Sequence, residues 1–208
     1  MRMRLAVLAG AVLTVLAGCS SPTPKATTGT QAPKAGTAAE ATPVTEAPKA
    51  PLPGFGDGTH AVGKDIQPGT YRAADVPSMC YWSRQSGFGG SLEEIIANEN
   101  TSGPTLVTIA PTDVGFETKG CGRWTTDLSP ITASRTAFDS GTYVVGTDIA
   151  PGTYRSAGGD GCYWARLTGF GGTLPEVIAN TNATGPTVVT IAASDGGFTS
   201  NGCEPWTP

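Results

Sequence analysis

The segment V-G-K-D-I-Q-P-G-T-Y-R at 62–72 returns as V-G-T-D-I-A-P-G-T-Y-R at 145–155, an offset of 83 that becomes 82 after a one-residue deletion and then holds to the last residue. From Cys80 to Thr126 against Cys162 to Pro208, 28 of 47 positions are identical. This is a tandem duplication. Two copies, with a period above the roughly 20–50 residues of solenoid repeats, predict two small domains with separate cores. Gly (29) and Pro (17) make up 46 of 208 residues, which disfavours long helices.

Short β-branched or aromatic runs punctuated by glycine fill each copy. Gln67-Pro68-Gly69-Thr70 fits a type II turn, with Pro supplying the fixed φ and Gly the positive one, and a strand should follow at Thr70–Ala73. Cys80-Tyr81-Trp82-Ser83-Arg84 and Cys162-Tyr163-Trp164-Ala165-Arg166 read as strands whose alternation turns Cys80 and Trp82 to the core and Tyr81 outward. Leu106–Ile109 and Val188–Ile191 are the clearest strands. Ser91-x-x-Glu94 and Thr173-x-x-Glu176 fit capping boxes. Residues 91–98 and 173–180 read either as a brief helical turn running into a hairpin or as a strand, and the first reading is preferred. The expected class is all-β, two tandem small disulfide-stapled sandwich- or barrel-like domains of about six short strands each.

Four cysteines, at 80, 121, 162 and 203, fall at a spacing of 41 within each copy. A single-copy ancestor had only its own two to pair, so Cys80–Cys121 and Cys162–Cys203 are the expected bridges among the three connectivities. A Cys₄ zinc site is disfavoured because no C-x₂-C pair is present.

The fifth cysteine belongs to a different signal. Arg2 and Arg4 precede an apolar run from Leu5 to Gly18, too short for the roughly 20 residues a membrane span needs and built like a secretory signal. It ends in Leu16-Ala17-Gly18-Cys19, which resembles the bacterial lipobox; the resemblance implies cleavage before Cys19 and acylation of its sulfur. From Ser20 to Pro53 the chain has seven prolines and no aromatic residue, a composition that cannot offset the entropy of ordering. The expected organisation is a signal over 1–18, a lipidated Cys19 and spacer over 19–55, a first β-domain over 56–127, a linker over 128–138 and a second β-domain over 139–208. The expected location is the extracytoplasmic face of the membrane, held by the lipid.

Without residues 1–18 the formal charge moves from −4 to −6, with no basic stripe of the kind nucleic acid requires. Catalytic material is scarce. The one histidine, His60, is Tyr143 in the second copy. Gly87-Phe88-Gly89-Gly90 is followed by neither the Lys-Ser/Thr of a phosphate loop nor a third dinucleotide-binding glycine. The acids matched in both copies, Asp65/Asp148, Glu94/Glu176 and Asp113/Asp195, sit beside turns and caps where carboxylates satisfy backbone N–H groups. No cofactor or metal is expected. Tyr81, Arg84, Tyr163 and Arg166 are the candidate ligand surface, two aromatic faces suited to wall glycan or an envelope protein; the competing expectation packs the aromatics on the disulfide and pairs Arg84 with Glu94.

The set V-G-x-D-I-x-P-G-T-Y-R, C-Y-W-x-R, G-F-G-G, I-A-N-x-N, V-T-I-A and G-C-x-x-W, once per copy, resembles a repeat of secreted proteins and lipoproteins of actinobacteria, over 60–126 and 143–208. The resemblance implies location and domain count and brings no catalytic residue. The functional expectation is a non-enzymatic, membrane-anchored envelope module for binding or structure, the alternative being an envelope hydrolase or its accessory acting through Asp113/Asp195 or Glu94/Glu176.

Overall fold

A computed structural model describes residues 54–208; the signal segment, Cys19 and the spacer up to residue 53 lie outside the described residues. The fold is all-β, in two similar halves. In the first, β1 (Gly54–Phe55), β2 (Gly58–Ala61), β3 (Gly69–Ala73), β4 (Cys80–Gln85), β5 (Ile95–Thr101), β6 (Thr105–Ile109), β7 (Gly115–Lys119) and β8 (Trp124–Thr125) form two antiparallel sheets, β2-β7-β4-β5 and β1-β8-β3-β6. The second repeats this with β9 (Gly141–Val144), β10 (Gly152–Ser156), β11 (Cys162–Leu167), β12 (Val177–Ala183), β13 (Thr187–Ile191) and β14 (Gly197–Asn201), paired as β9-β14-β11-β12 and β10-β13. Single bridges, Phe138–Trp206 and Arg155–Thr207, stand where β1 and β8 stand in the first half.

Each core lies between its two sheets. Cys80 and Trp82 from β4 point inward against Tyr71, Val107 and Ile109 of the opposite sheet, with Phe116 and Trp124 packed edge to face at 5.5 Å. Phe198 and Trp206 repeat that contact at 5.3 Å. Disulfides Cys80–Cys121 and Cys162–Cys203 close the two halves, as the spacing predicts, each with Cα atoms 4.4 Å apart. Both features expected of residues 91–98 are present in series: one 3₁₀ turn (Leu92–Glu94, Leu174–Glu176) runs straight into β5 or β12.

Three expectations need correction. Phe55 is not spacer: it stands 5.1 Å from Tyr71 and 6.3 Å from Trp124, roofing the first core. Nor is 128–138 a free linker. Phe138 takes the role of Phe55 in the second half, 5.1 Å from Tyr154, and Ile131 N donates to Asp148 Oδ1 at 3.2 Å, so the segment is packed onto the second repeat. The type II turn at Pro68-Gly69 does not form. Gly69 has φ 155°, far from the roughly 80° that such a turn sets at its third residue, and opens β3 instead. The tight turn lies earlier, where Gly63 (φ 81°) and Gly146 (φ 84°) let the backbone N–H groups of residues 64–66 and 147–149 converge on Ala61 O and Val144 O.

The halves join directly. Thr108 N donates to Phe170 O at 2.8 Å, Thr142 N to Pro104 O at 2.7 Å, and Asn201 Nδ2 to Asn100 O at 2.7 Å. Arg72 of the first repeat pairs with Asp148 of the second at 2.5 Å. A Cβ on Gly103 would stand 2.1 Å from Ser140 O, so glycine is needed for the close approach of the two backbones there.

Candidate functional site

Pleating fixes which side chains β4 can offer to solvent. With Cys80 and Trp82 inward, Tyr81, Ser83 and Gln85 face out, opposite Asn100, Asn98 and Ile95 of β5 and Lys119, Glu117 and Gly115 of β7. Ser83 is buried on this face, and Gln85 Nε2 reaches across it, donating to Glu117 Oε2 at 3.0 Å and to Ser83 Oγ at 3.3 Å. Tyr81 stands half-buried beside them.

The glycine-rich loop rises along one side of this face. Glu94 sits inside the loop: a Cβ on Gly87 or Gly89 would lie 2.3 or 2.9 Å from its carboxylate, and Ser91 N donates to it at 3.4 Å. In the second repeat Glu176 accepts from Gly171 N at 3.0 Å and from Thr173 N at 3.1 Å. The G-F-G-G segment therefore encloses the protein's own carboxylate in the place where a phosphate loop would hold a phosphate. Phe88 and Leu92 are left exposed at its tip. Tyr81, Gln85, Glu117, Phe88 and Leu92 border a groove of about 260 Å³, below the roughly 300–1,000 Å³ of small-molecule pockets.

The arginines of the expected ligand surface are elsewhere. The register of β4 against β5 shifts between Arg84 and Gln85, and that of β11 against β12 between Arg166 and Leu167. Arg84 is buried, its Nε and Nη2 donating to Asp113 at 2.7 and 2.9 Å, while Arg166 grips Asp195 at 2.6 and 2.8 Å. Arg84 is thus removed from the candidate surface, because a bidentate pair satisfies it in the interior; its partner is Asp113, not Glu94. The Arg166 hydrogen bonds hold the Asp195 carboxyl below its ordinary value, and the Asp195 carboxylate in turn raises the guanidinium. Tyr163 lies half-buried in a cleft whose walls include Trp82, Glu99 and Leu106 of the first repeat.

The remaining matched acids are also occupied. Asp113 and Asp195 each accept a backbone N–H, from Ala110 and Ala192, both at 2.9 Å. Asp65 accepts from Ala61 N at 2.9 Å and Asp148 from Val144 N at 2.8 Å. His60 Nε2 is hydrogen-bonded to Gly56 O at 2.9 Å. Among the described residues no three of His, Cys, Asp and Glu come together as metal ligands, and no helix is long and apolar enough to cross a membrane.

One group escaped the sequence reading. Glu99 accepts from Thr105 Oγ1 at 2.7 Å, from Trp82 Nε1 at 3.0 Å and from Thr199 Oγ1 of the other repeat at 3.4 Å. Burial raises its pKa, outweighing these donors. The second copy carries Thr181 at this position, so a search for matched acids passes over it.

The uncharacterized proteins Rv1352 of Mycobacterium tuberculosis and Mb1387 of Mycobacterium bovis are each 37% identical to the chain over 82 residues, 33% of this chain and 67% of the relative. No solved structure matches the chain. The model of the Rv1352-like extracellular domain matches twice, over residues 53–125 and 135–207, so both halves lie within its reach. The chain therefore belongs to the Rv1352-like extracellular domain family, as two tandem copies of that domain.

Proposed function

We propose that this chain is a non-enzymatic module of the cell envelope, held at the outer face of the membrane by an acylated Cys19 and meeting its partners through the open sheet face of the first repeat. The observation that carries the reading is where the carboxylates are spent. Asp113, Asp195, Glu94 and Glu176 each hold an arginine, a backbone N–H or a loop in place, whereas Phe88 and Leu92 stand exposed at the groove beside Tyr81. Large apolar side chains gathered at a groove mark contact surfaces more often than reaction centres. The acidic domains offer anionic lipid nothing, so anchoring falls to the acyl chains. Residues 20–53 then act as the spacer between the acylated Cys19 and the folded part.

Two experiments test this. Fractionation of cells carrying the wild-type chain or Cys19→Ala should find the first with membranes and the second in the medium; equal release of both would overturn the anchor. Pull-downs on purified wall glycan and envelope protein fractions should retain the wild-type chain and lose the Tyr81→Ala, Phe88→Ala double variant. Retention unaffected by that change would overturn the contact face. Release of wall fragments by the wild-type chain, lost on Asp113→Asn, would instead establish the hydrolase.

A further inference from the structure

The contact between the two repeats is one-sided. The first repeat contributes the edge strand β6 with Leu106 and Thr108, together with Trp82, Arg84 and Glu99. The second contributes its glycine loop at Phe170 and Gly171, its groove beside Tyr163, and the turn at Asp148. In a two-fold arrangement each repeat would use both surfaces at once. Here each uses a different one, so the joint is heterologous and leaves two surfaces open: the groove of the first repeat and the β13 edge of the second.

These open surfaces are the sequence equivalents of the joined ones, and exposure separates them. Leu106 is 2% exposed, and its counterpart Val188 55%. The Arg84 side chain is 7% exposed with Nη1 donating to Gly171 O at 2.6 Å, whereas that of Arg166 is 23% exposed and makes its bonds to Asp195 through Nε and Nη2. Phe170 is half-buried under the first repeat; Phe88 is exposed. Arg72 and Asp148 are buried as a pair, and their counterparts Arg155 and Asp65 are both exposed.

The residue types at the open surfaces also complement one another. Placing a second copy by the relation that joins the repeats sets Arg155 against Asp65, repeating Arg72 against Asp148. It sets Lys119 against Asn182, where Asn201 meets Asn100. The pair Glu99 and Thr199 becomes Thr181 and Glu117: both members have changed, and an acid still faces a threonine hydroxyl. None of these substitutions brings like charges together. The β13 backbone edge, like that of β6, is unpaired within its sheet and free to donate Thr190 N–H as Thr108 N–H is donated to Phe170.

We propose that the partner of the open face is a second copy of this chain, bound head to tail, with the β13 edge and Val188 of one molecule seated in the Tyr81–Phe88 groove of the next. The proposal rests on the contact-face reading above and names its occupant. A joint of this kind adds molecules in one direction along the membrane unless the rotation happens to close a ring.

Cysteine trapping on the full-length chain in its native membranes tests the proposal. A chain carrying both Phe88→Cys and Thr190→Cys should form dimers, trimers and higher rungs on mild oxidation, while either substitution alone, facing no cysteine across the joint, should stay monomeric. Thr108→Cys with Phe170→Cys is the internal control and should close within one chain without a mass increase. Adding Val188→Asp should reduce the ladder at least tenfold, with both native disulfides retained on mass mapping. A closed control without a ladder, or a ladder indifferent to Val188→Asp, would overturn the proposal. Loss of the ladder together with continued Tyr81- and Phe88-dependent retention on wall glycan would sink self-association alone and leave the contact face standing.

Discussion

Arg72 and Asp148, 76 positions apart and from different repeats, form a 2.5 Å ion pair in which the side chains are 1% and 0% exposed. Asp148 also accepts Val144 N at 2.8 Å and Ile131 N at 3.2 Å, and Arg72 Nη1 donates to Ser129 O at 2.6 Å. One carboxylate thereby ties together a strand of the second repeat, the inter-repeat segment and the first repeat. The match is incomplete on the arginine side, where buried Nε has no partner. Arg72→Met should cost about 3 kcal/mol, because removal of one member leaves a buried charge short of its counter-ion. Arg155→Met, at the equivalent exposed position, should be nearly silent. Urea unfolding of the two variants measures the difference, and equal midpoints would refute the asymmetry.

The two disulfides differ in their access to reductant. Cys80, Cys121 and Cys162 are fully buried, whereas Cys203 is only partly so. Limited reduction under native conditions, followed by alkylation and peptide mapping, should label Cys162 and Cys203 before Cys80 and Cys121. Each bridge closes a loop worth roughly 4 kcal/mol in the chain-entropy model. Replacing Cys80 and Cys121 together by Ala should therefore lower stability by about that amount, read from the midpoint of chemical denaturation.

Glu99 and Asp195 give the molecule opposite responses to pH. Burial lifts Glu99 above its ordinary 4.5, so its contribution is complete below that value and is lost as the pH rises through the folded one. Glu99→Gln, whose amide oxygen still accepts from Thr105 and Trp82, should abolish that decline and leave the protein at least as stable at neutral pH. Asp195 is held below its ordinary 3.8 by the Arg166 hydrogen bonds, so its contribution is present above that value and lost as the pH falls through the folded one. Asp195→Asn should flatten the acid limb. Thermal melts across pH 2–8 separate the two; a Glu99→Gln curve parallel to wild type would contradict the first.

Tyr143 occupies the place of His60 and is pushed up to about 12, mainly by burial and further by Asp139 and Asp148. The unfolded phenol ionises near 10.0, so the stability linked to this group is intact below that pH and drains away between there and about 12. Ultraviolet titration of phenolate should show a late step that Tyr143→Phe removes. A titration complete by pH 11 would argue against so dry a site.

Much of this architecture is legible in the chain because period and spacing are local properties. The offset between copies pairs the cysteines, and simple alternation turns Trp82 inward and Tyr81 outward. Arg84 falls on the Cys80 and Trp82 side by that same alternation, and what the strand alone does not disclose is its partner: Asp113, from 29 positions away in the turn before β7, supplies the carboxylate that satisfies an inward guanidinium. Phe55 and Phe138 fall outside the domain bounds that the sequence suggests, and only the closed sheets reveal the gap that each fills. The joint between the repeats leaves the faintest trace. Leu106 and Val188 are chemically near-identical, and nothing in either side chain says that one is covered and the other bare; burial there is decided by the order of the copies along the chain.

That order has an arithmetic consequence. Because the repeats meet plug to socket, a gene that gained a third copy would produce a longer series of repeats with the same two open surfaces, and one reduced to a single copy would keep both surfaces on one body. Unequal recombination can therefore alter the length of such a protein without redesigning any contact, and the number of units becomes a quantity that selection can tune independently of how the units recognise each other.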